Sequence, residues 1–259
     1  MPLLFWLLVW QLAATGLALA NAQNTGKALA WTAALAQGHV LLLPAPFAVI
    51  SRLAELAGTA LFWRSALLSL VRIFTGLAVG VALGTLLAAL TWAFKGADLL
   101  LSPAVRVVRA TPVASFIVLV LLWVRTGLVP GVISGLMVLP VVWETVRRGI
   151  GETSPELLEL AQAYGFSRGK TLRLIYIPSV LPYFTSGVLN GLGLAWKSGV
   201  AAEVLCQPRW AVGTELYRSK ISLDTPALFG WTLVVLLLSL VLERALSAGL
   251  RQLERRRGS

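Results

Sequence analysis

Long apolar runs separated by short polar segments make up most of the chain. A run of about 20 apolar residues is long enough to cross a bilayer as an α-helix, because each helical residue adds about 1.5 Å. The pattern therefore predicts an all-α integral membrane protein with about six transmembrane helices. The predicted spans are residues 2–20, 68–94, a region around 113–124, 128–146, 180–205 and 226–246.

The first and third of these spans each allow two interpretations. Residues 2–20 end in Ala-Leu-Ala, which is typical of a signal-peptidase site, but no Lys or Arg precedes the apolar run. A retained helix is therefore favoured over a cleaved signal. The uninterrupted run at 113–124 is too short to span a membrane alone. The third helix either begins before Pro112 and is kinked there, or it is discontinuous.

The same pattern divides the chain into three parts. Residues 1–64 combine the first helix with an external loop, which Pro44 and Pro46 make extended, and an interfacial helix. Residues 65–250 hold the remaining spans and form the core domain. Residues 251–259 are a basic tail.

The longest polar interruption between two strongly apolar runs lies at residues 153–178. It opens with a helix start, because a hydroxyl residue precedes Pro155, whose missing N–H costs nothing in the first turn. Glu156 lies near the positive end of the helix dipole, where a carboxylate is favourable. Gly165 is predicted to close this helix.

A second short helix is predicted after the glycine. Ser167 can cap its start, and Pro178 is predicted to end it, because proline lacks an N–H and clashes with the preceding turn. The polar stretch is therefore expected to form an exposed helical hairpin between two membrane spans.

The first helix of this hairpin has two distinct sides. At about 100° per residue, apolar residues fall on one side and acidic or amide residues on the other. The apolar side holds Leu157, Leu160, Ala161 and Tyr164, and the polar side holds Glu156, Glu159 and Gln162. An apolar ridge with an acidic edge suits a groove in another protein, although such a loop can also pack back on its own chain.

Glycines recur at helical spacing in two of the predicted spans. Gly76, Gly80 and Gly84 follow one another every fourth residue in the second span, and Gly187 and Gly191 repeat the spacing in the fifth. Small residues on one face let membrane helices approach closely, since no hydrophobic force drives helices together in lipid. We expect these faces to be helix-packing surfaces.

Three of the ionisable residues within predicted spans, Glu144, Lys197 and Glu203, are candidates for a functional role. A charge at the bilayer centre costs at least ~2.5 kcal/mol, so each is expected to face a partner, a cavity or the interface. One hypothesis places Lys197, together with Trp196, beside a translocation pathway where it attracts an anion, with Glu203 near the outer end. The alternative is interhelical pairing that fixes the helix bundle.

Composition supports the membrane class and excludes others. The chain is 58% hydrophobic and 13% charged, and its mean hydropathy is +0.82. Its formal net charge of +11 does not indicate a nucleic-acid partner, because the basic residues border apolar spans instead of lining a soluble face. One Cys and one His exclude a disulfide framework and a metal site made of several Cys and His ligands.

No catalytic constellation can be assembled from this composition. A single His allows no Ser-His-Asp set, and no acidic pair has a helical setting that indicates catalysis. The segment from Gly165 to Thr171 imitates a phosphate-binding loop, but only three residues separate its glycines and no strand precedes it. The sequence therefore predicts a chain that does not itself hydrolyse ATP.

The distribution of Lys and Arg predicts the orientation. Six spans place both termini and the 153–178 hairpin on one side. That side holds Lys95, Arg106, Arg109, Arg147, Arg148, Arg168, Lys170, Arg173, Arg244, Arg251, Arg255, Arg256 and Arg257. The opposite side holds Lys27, Arg52, Arg64, Arg125, Arg209, Arg218 and Lys220. The excess of basic residues places the hairpin and both termini in the cytoplasm.

The hairpin resembles a motif of the inner-membrane subunits of binding-protein-dependent ABC importers. Glu159-Leu-Ala161 is followed after three residues by Gly165, and after nine more by a segment from Ile175 to Pro178. The family has Ala at the position of Leu160 and Leu at residue 177. The resemblance implies that the hairpin docks on a cytoplasmic ATPase. The implied coupling residues are Glu156, Glu159, Leu160, Ala161, Tyr164, Gly165, Ser167, Ile175 and Pro178.

Two further segments are similar to the nitrate, sulfonate and taurine branch of that family. They are residues 69–72 followed by Gly76 and Gly80, and residues 109–114 followed by Trp123. The resemblance implies a permease subunit that imports a small anion, such as nitrate, a sulfonate or a taurine-like compound, by alternating access across the bacterial inner membrane. The alternatives are an autonomous carrier or channel and a scaffold or sensor subunit.

The resemblance also implies the partners. They are two cytoplasmic ATPase subunits, an external solute-binding protein, a second copy of the chain and the lipid bilayer. ATP and Mg²⁺ belong to the ATPase, and no cofactor is expected in this chain.

Overall fold

The computed structural model describes residues 2–24 and 43–258, with the side chains of residues 5–20 and 43–250. Within that part of the chain every regular element is a helix. The elements are α1 (Pro2–Asn24), α2 (Pro46–Ala57), α3 (Ala60–Ala93), α4 (Lys95–Ala110), α5 (Val113–Leu121), α6 (Val129–Gly151), α7 (Pro155–Ala163), α8 (Arg168–Thr171), α9 (Ile177–Cys206), α10 (Val212–Ile221) and α11 (Thr225–Gly258). Most of the predicted external loop, including Lys27, lies outside the described residues.

Four helical stretches are long and apolar enough to cross a membrane. They are Ala60–Ala93, Val129–Gly151, Arg168–Cys206 and Thr225–Leu250. The pair α4 and α5 passes the same test together and gives a fifth candidate span, and α1 contributes a shorter apolar stretch, Phe5–Ala20. The prediction of an all-α membrane protein is confirmed.

The helix of the third predicted span is interrupted. α4 and α5 meet at an angle of 106°. Thr111 is extended there, with ψ 132°, because the ring of the following Pro112 disfavours helical geometry in the residue before it. Of the two interpretations of this region, the discontinuous helix describes the structure.

Residues 70–202 and 239–259 form one of two compact units, and α6 is the helix against which its neighbours pack. A Cβ atom at Gly80 of α3 would lie 2.6 Å from the carbonyl oxygen of Gly135, and one at Gly84 would lie 2.7 Å from that of Leu139. Gly76 meets the backbone of Gly131 in the same way. The two backbones are therefore in direct contact over two helical turns.

A second neighbour of α6 is α9, which also approaches through glycines. Gly187 lies against the side chain of Thr145, and a Cβ atom at Gly191 would lie 3.2 Å from a methyl group of Val138. Both glycine stripes singled out in the sequence thus contact α6.

The second unit consists of residues 1–69 and 203–238. Its apolar core joins α3, α10 and α11, and it contains Phe62, Ala66, Val212, Trp231 and Val234. The rings of Phe62 and Trp231 stack with centroids 5.1 Å apart. At the edge of the unit, the guanidinium of Arg52 on α2 pairs with Asp224 at 2.8 Å.

The prediction that Pro178 ends the second helix of the hairpin is wrong. The chain passes from α8 through a π-helical turn, Leu172–Tyr176, directly into α9, and Pro178 is the second residue of α9. The N–H of Ile177 donates to the carbonyl of Leu172, five residues back, so the hydrogen-bond register shifts just before the residue that has no N–H. The helix therefore continues through the proline.

Substitution of Gly80 tests the contact between α3 and α6. We expect Gly80→Ala to destabilise the protein by about 1–3 kcal/mol, because the added methyl group forces the two backbones apart. Thermal unfolding of the purified protein in detergent measures this cost.

Gly96→Ala is the matched control, because no atom lies within 4 Å of a Cβ atom there. Equal melting temperatures for the two variants would show that the close approach does not contribute to stability.

Candidate functional site

The start of α7 is fixed by its own side chains. The Oγ of Ser154 accepts a hydrogen bond from the N–H of Leu157 at 3.4 Å, which caps the helix. The same hydroxyl donates to the carboxylate of Glu156 and holds the pKa of that group below its usual range. The hairpin therefore begins at a defined residue.

The turn after α7 depends on a left-handed glycine. Gly165 has φ +63°, the N–H of Phe166 donates to the carbonyl of Ala161 at 2.8 Å, and the N–H of Gly165 donates to that of Gln162 at 3.0 Å. This is the Schellman arrangement, in which a residue other than glycine is disfavoured. Because nothing lies within 4 Å of a Cβ at Gly165, the constraint is in the backbone and not in packing.

The start of α8 follows immediately. Ser167 Oγ accepts from the N–H of Lys170 at 3.4 Å, and the Lys170 ammonium lies 4.0 Å from the centre of the Phe166 ring. Both contacts hold α8, which begins the second arm of the hairpin, against the turn at Gly165.

The predicted apolar ridge of α7 is exposed. Leu157, Leu160 and Tyr164 are 44%, 53% and 73% exposed, and Glu159 is exposed beside them. Ala161, which the periodicity placed on the same side, is buried, because it faces the second arm across a cavity of about 470 Å³. Of the other two motif residues, Ile175 is buried and Pro178 is exposed.

Glu203 lies at the far end of α9 from the hairpin and is fully buried. Its Oε2 accepts hydrogen bonds from the hydroxyl of Ser69 at 2.8 Å and from the N–H of Gly213 at 3.1 Å. The Ser69 oxygen in turn accepts from the N–H of Val212 at 2.9 Å. α10 has no cap from its own side chain at Ala211, so two residues from other helices satisfy its first N–H groups.

Lys197 lies elsewhere on α9, in a cavity of about 320 Å³ between α9 and α11. Its polar lining consists of Asn190, Lys197, Ser239 and Glu243, and Trp196 forms part of the wall while being 2% exposed. The structure thus separates Lys197 from Glu203, because six helical residues place the two side chains about 120° apart around the helix axis. It adds Glu243 of α11, which the sequence analysis did not identify as a candidate.

Glu144 lies in a different cavity, between α4 and α6, and forms an ion pair with Arg109. The same two helices are joined by Arg147, whose guanidinium donates to both carboxylate oxygens of Asp98, one of them at 2.9 Å. The three candidate ionisable residues therefore occupy three separate environments.

No cluster of three or more His, Cys, Asp or Glu side chains that could hold a metal ion occurs in the part of the chain that the structure describes.

Comparison with known proteins places these features in context. The family model described as binding-protein-dependent transport system inner membrane component matches residues 80–258. The taurine transport system permease protein TauC of Escherichia coli K12 is 27% identical and covers 87% of this chain and 83% of its own length. The putative aliphatic sulfonates transport permease protein SsuC of Bacillus subtilis 168 is 25% identical. That match covers 63% of this chain and 60% of SsuC.

A solved structure shows the same fold. The crystal structure of an amino acid ABC transporter with histidines matches with a TM-score of 0.63 and 20% sequence identity, over 79% of this chain and 97% of the other. The helical arrangement is therefore shared with that transporter.

Ser69 offers a test of the network around Glu203. We expect Ser69→Ala to cost about 1–3 kcal/mol of unfolding free energy, because it removes one donor to a buried carboxylate and leaves the N–H of Val212 without its acceptor. Thermal unfolding in detergent measures the loss.

Ser65→Ala is the matched control on the same helix. Ser65 is also fully buried, but its hydroxyl makes no hydrogen bond to any described residue, so its removal is expected to be neutral or stabilising. An equal loss in both variants would mean that the network does not stabilise the fold.

Proposed function

The chain belongs to the family of binding-protein-dependent transport system inner membrane components, and we propose that it imports a small sulfonate-like anion. It is a permease subunit of an ABC importer and spans the inner membrane several times. It is not an enzyme, and ATP hydrolysis resides in a partner subunit. Family membership decides against the autonomous carrier and the scaffold considered from the sequence.

Membership also implies an ATPase and a solute-binding protein as partners. We propose the finer arrangement of two ATPase subunits in the cytoplasm, one external binding protein and a second copy of this chain. Both termini and the hairpin would face the cytoplasm, which the excess of Lys and Arg on that side supports.

The coupling role of the hairpin rests on one observation. α7 presents Leu157, Leu160 and Tyr164 outward with Glu159 beside them, while a capped start and a left-handed glycine turn hold it in one shape. An exposed apolar ridge on a short rigid helix fits a groove in a partner, since binding then orders little that was free before. We propose that this groove belongs to the ATPase.

The transport pathway is proposed to include the cavity at Lys197 and Trp196. A charged side chain within a span requires a compensating partner or water, and this cavity supplies Asn190, Ser239 and Glu243. An ammonium attracts a sulfonate, and Glu243 would suit the amino group of a solute such as taurine. Glu203 and Glu144 fit the alternative role of interhelical pairing, through the bonds described above.

Two substitutions in the hairpin test coupling. We expect Gly165→Val to abolish most ATP-driven uptake, because a branched side chain disfavours a positive φ by about 1–2 kcal/mol and misdirects α7. Glu159→Lys should have the same effect by reversing the charge beside the ridge. Uptake into proteoliposomes and co-purification of the ATPase are the two measurements.

Gly169→Val is the control, since nothing lies within 4 Å of a Cβ there and its φ is not positive. Normal transport by both the Gly165 and the Glu159 variants would refute the coupling assignment.

Lys197→Ala tests the pathway. We expect uptake of labelled taurine and of an aliphatic sulfonate to fall by about tenfold or more, because a lost charge-assisted hydrogen bond is worth about 1.5–3 kcal/mol. Lys95→Ala, which removes a cation outside the cavity, should leave uptake unchanged. Unaltered uptake by Lys197→Ala would remove this cavity from the pathway without affecting the family assignment.

A further inference from the structure

One large cavity of the unit that contains α6 is rich in arginine. It measures about 790 Å³ and opens between α4 and α6. α4 supplies Arg106 and Arg109, and α6 supplies Arg147 and Arg148. Trp92 and Trp143 also line it, together with the acidic residues Glu144 and Glu152.

Two of the four arginines are held by internal ion pairs. Arg109 pairs with Glu144, and Arg147 pairs with Asp98 and lies over the ring of Trp143 at 5.5 Å. Arg106 and Arg148 are exposed, and neither takes part in an ion pair among the described residues. The four arginines outnumber the acidic residues Asp98, Glu144 and Glu152, so the cavity keeps an excess of positive charge.

The fixed arginines give this cavity a stable shape. Asp98 also accepts a hydrogen bond from Ser102, one turn further along α4, and Arg147 reaches the same hydroxyl at 3.2 Å. Charge-assisted bonds between α4 and α6 therefore join the walls of the cavity. Arg106 is attracted to Asp98 without forming an ion pair with it, and Arg106 and Arg148 both remain exposed.

α4 has the pattern of a helix that lies at a membrane surface. Asp98, Ser102, Arg106 and Arg109 follow one face, whereas Leu100 and Val107 on the opposite face are 76% and 64% exposed. A short helix that is basic on one side and has an uncovered apolar side lies in the interface, with its apolar side in the acyl region. The bend of 106° after α4 is consistent with an in-plane helix that precedes a membrane-entering one.

We infer that the cavity binds a phosphate or chemically similar oxyanion group. The planar guanidinium forks of Arg106 and Arg148 match the geometry of such a group, and each can donate two parallel hydrogen bonds. The apolar face of α4 favours a phospholipid headgroup as the source, because the phosphodiester of an anionic lipid lies at the depth of such a helix. Trp92, which also lines the cavity, is 48% exposed, and tryptophan is enriched at the interface between membrane and water.

Binding of phosphatidylglycerol to the assembled transporter tests this inference. The permease is purified with its ATPase partner, incorporated into nanodiscs of phosphatidylcholine with or without phosphatidylglycerol, and the retained lipid is counted by native mass spectrometry. We expect the double variant Arg106→Gln, Arg148→Gln to retain at least several-fold less phosphatidylglycerol than the wild type. Retained phosphatidylcholine should not change.

Arg244→Gln is the matched control, because it removes an exposed cation outside the cavity. Its retention of phosphatidylglycerol should equal that of the wild type. A second arm titrates inorganic phosphate into phosphatidylcholine nanodiscs and measures binding by calorimetry.

The two arms separate the two sources. If the double variant loses lipid retention, the ligand is a lipid headgroup. If the wild type binds inorganic phosphate and the double variant does not, the oxyanion site is supported with free phosphate as its ligand. If the double variant and the wild type retain equal lipid and bind phosphate equally, or neither binds it, the inference is wrong. Because neither readout involves transport, this result is independent of the solute proposed above.

Discussion

Direct backbone contact between α3 and α6 is the interaction on which the membrane core depends. Lipid tails are as apolar as the helices themselves, so a membrane protein gains little from hiding apolar surface and must gain from close packing instead. Gly76, Gly80 and Gly84 permit that packing by leaving the α3 backbone uncovered, and Gly131 and Gly135 do the same on α6. α9 then packs on another face of α6 through Gly187 and Gly191. One helix thereby orders its two neighbours.

Polar groups within this apolar fold are used sparingly and are satisfied by residues distant in sequence. Ser69 and Glu203 together cap α10, which has no side-chain cap of its own, and Arg109 and Arg147 tie α4 to α6. In a medium without water each such bond matters, because the alternative for a buried polar group is no partner at all. The bonds of Glu203 and Glu144 show that an ionisable residue inside a span can join helices that are distant in sequence.

Periodicity and local chemistry predicted a large part of this structure. The apolar runs identified the long spans, and the Ser154 cap, the Gly165 turn and the glycine stripe of α3 were all readable from residue type and spacing. These features are local, and the physics that determines them lies within a few residues. The hairpin motif could likewise be recognised, because its spacing is a property of one short segment.

The remainder required information about contacts between distant residues. The pairing of Gly80 with Gly135, the bonding of Glu203 to Ser69 and the approach of Glu243 to the Lys197 cavity all join residues more than 40 positions apart. Pro178 was misjudged for a different reason, since the proline rule assumes an α-helical register and the π-helical turn changes it.

That π-helical turn also joins α8 to α9 in one continuous helical stretch. Because Arg168–Cys206 is continuous, the second arm of the hairpin and the residues around Lys197 belong to a single rod, in which Lys197 lies about 30 Å beyond Ile177. A continuous helix transmits a displacement of one end to the other end. A flexible loop at Pro178 would not transmit that displacement. The wider π-helical turn at Leu172–Tyr176 lies at the hairpin end of this rod. A partner that displaced the second arm of the hairpin would therefore displace the residues around Lys197 with it.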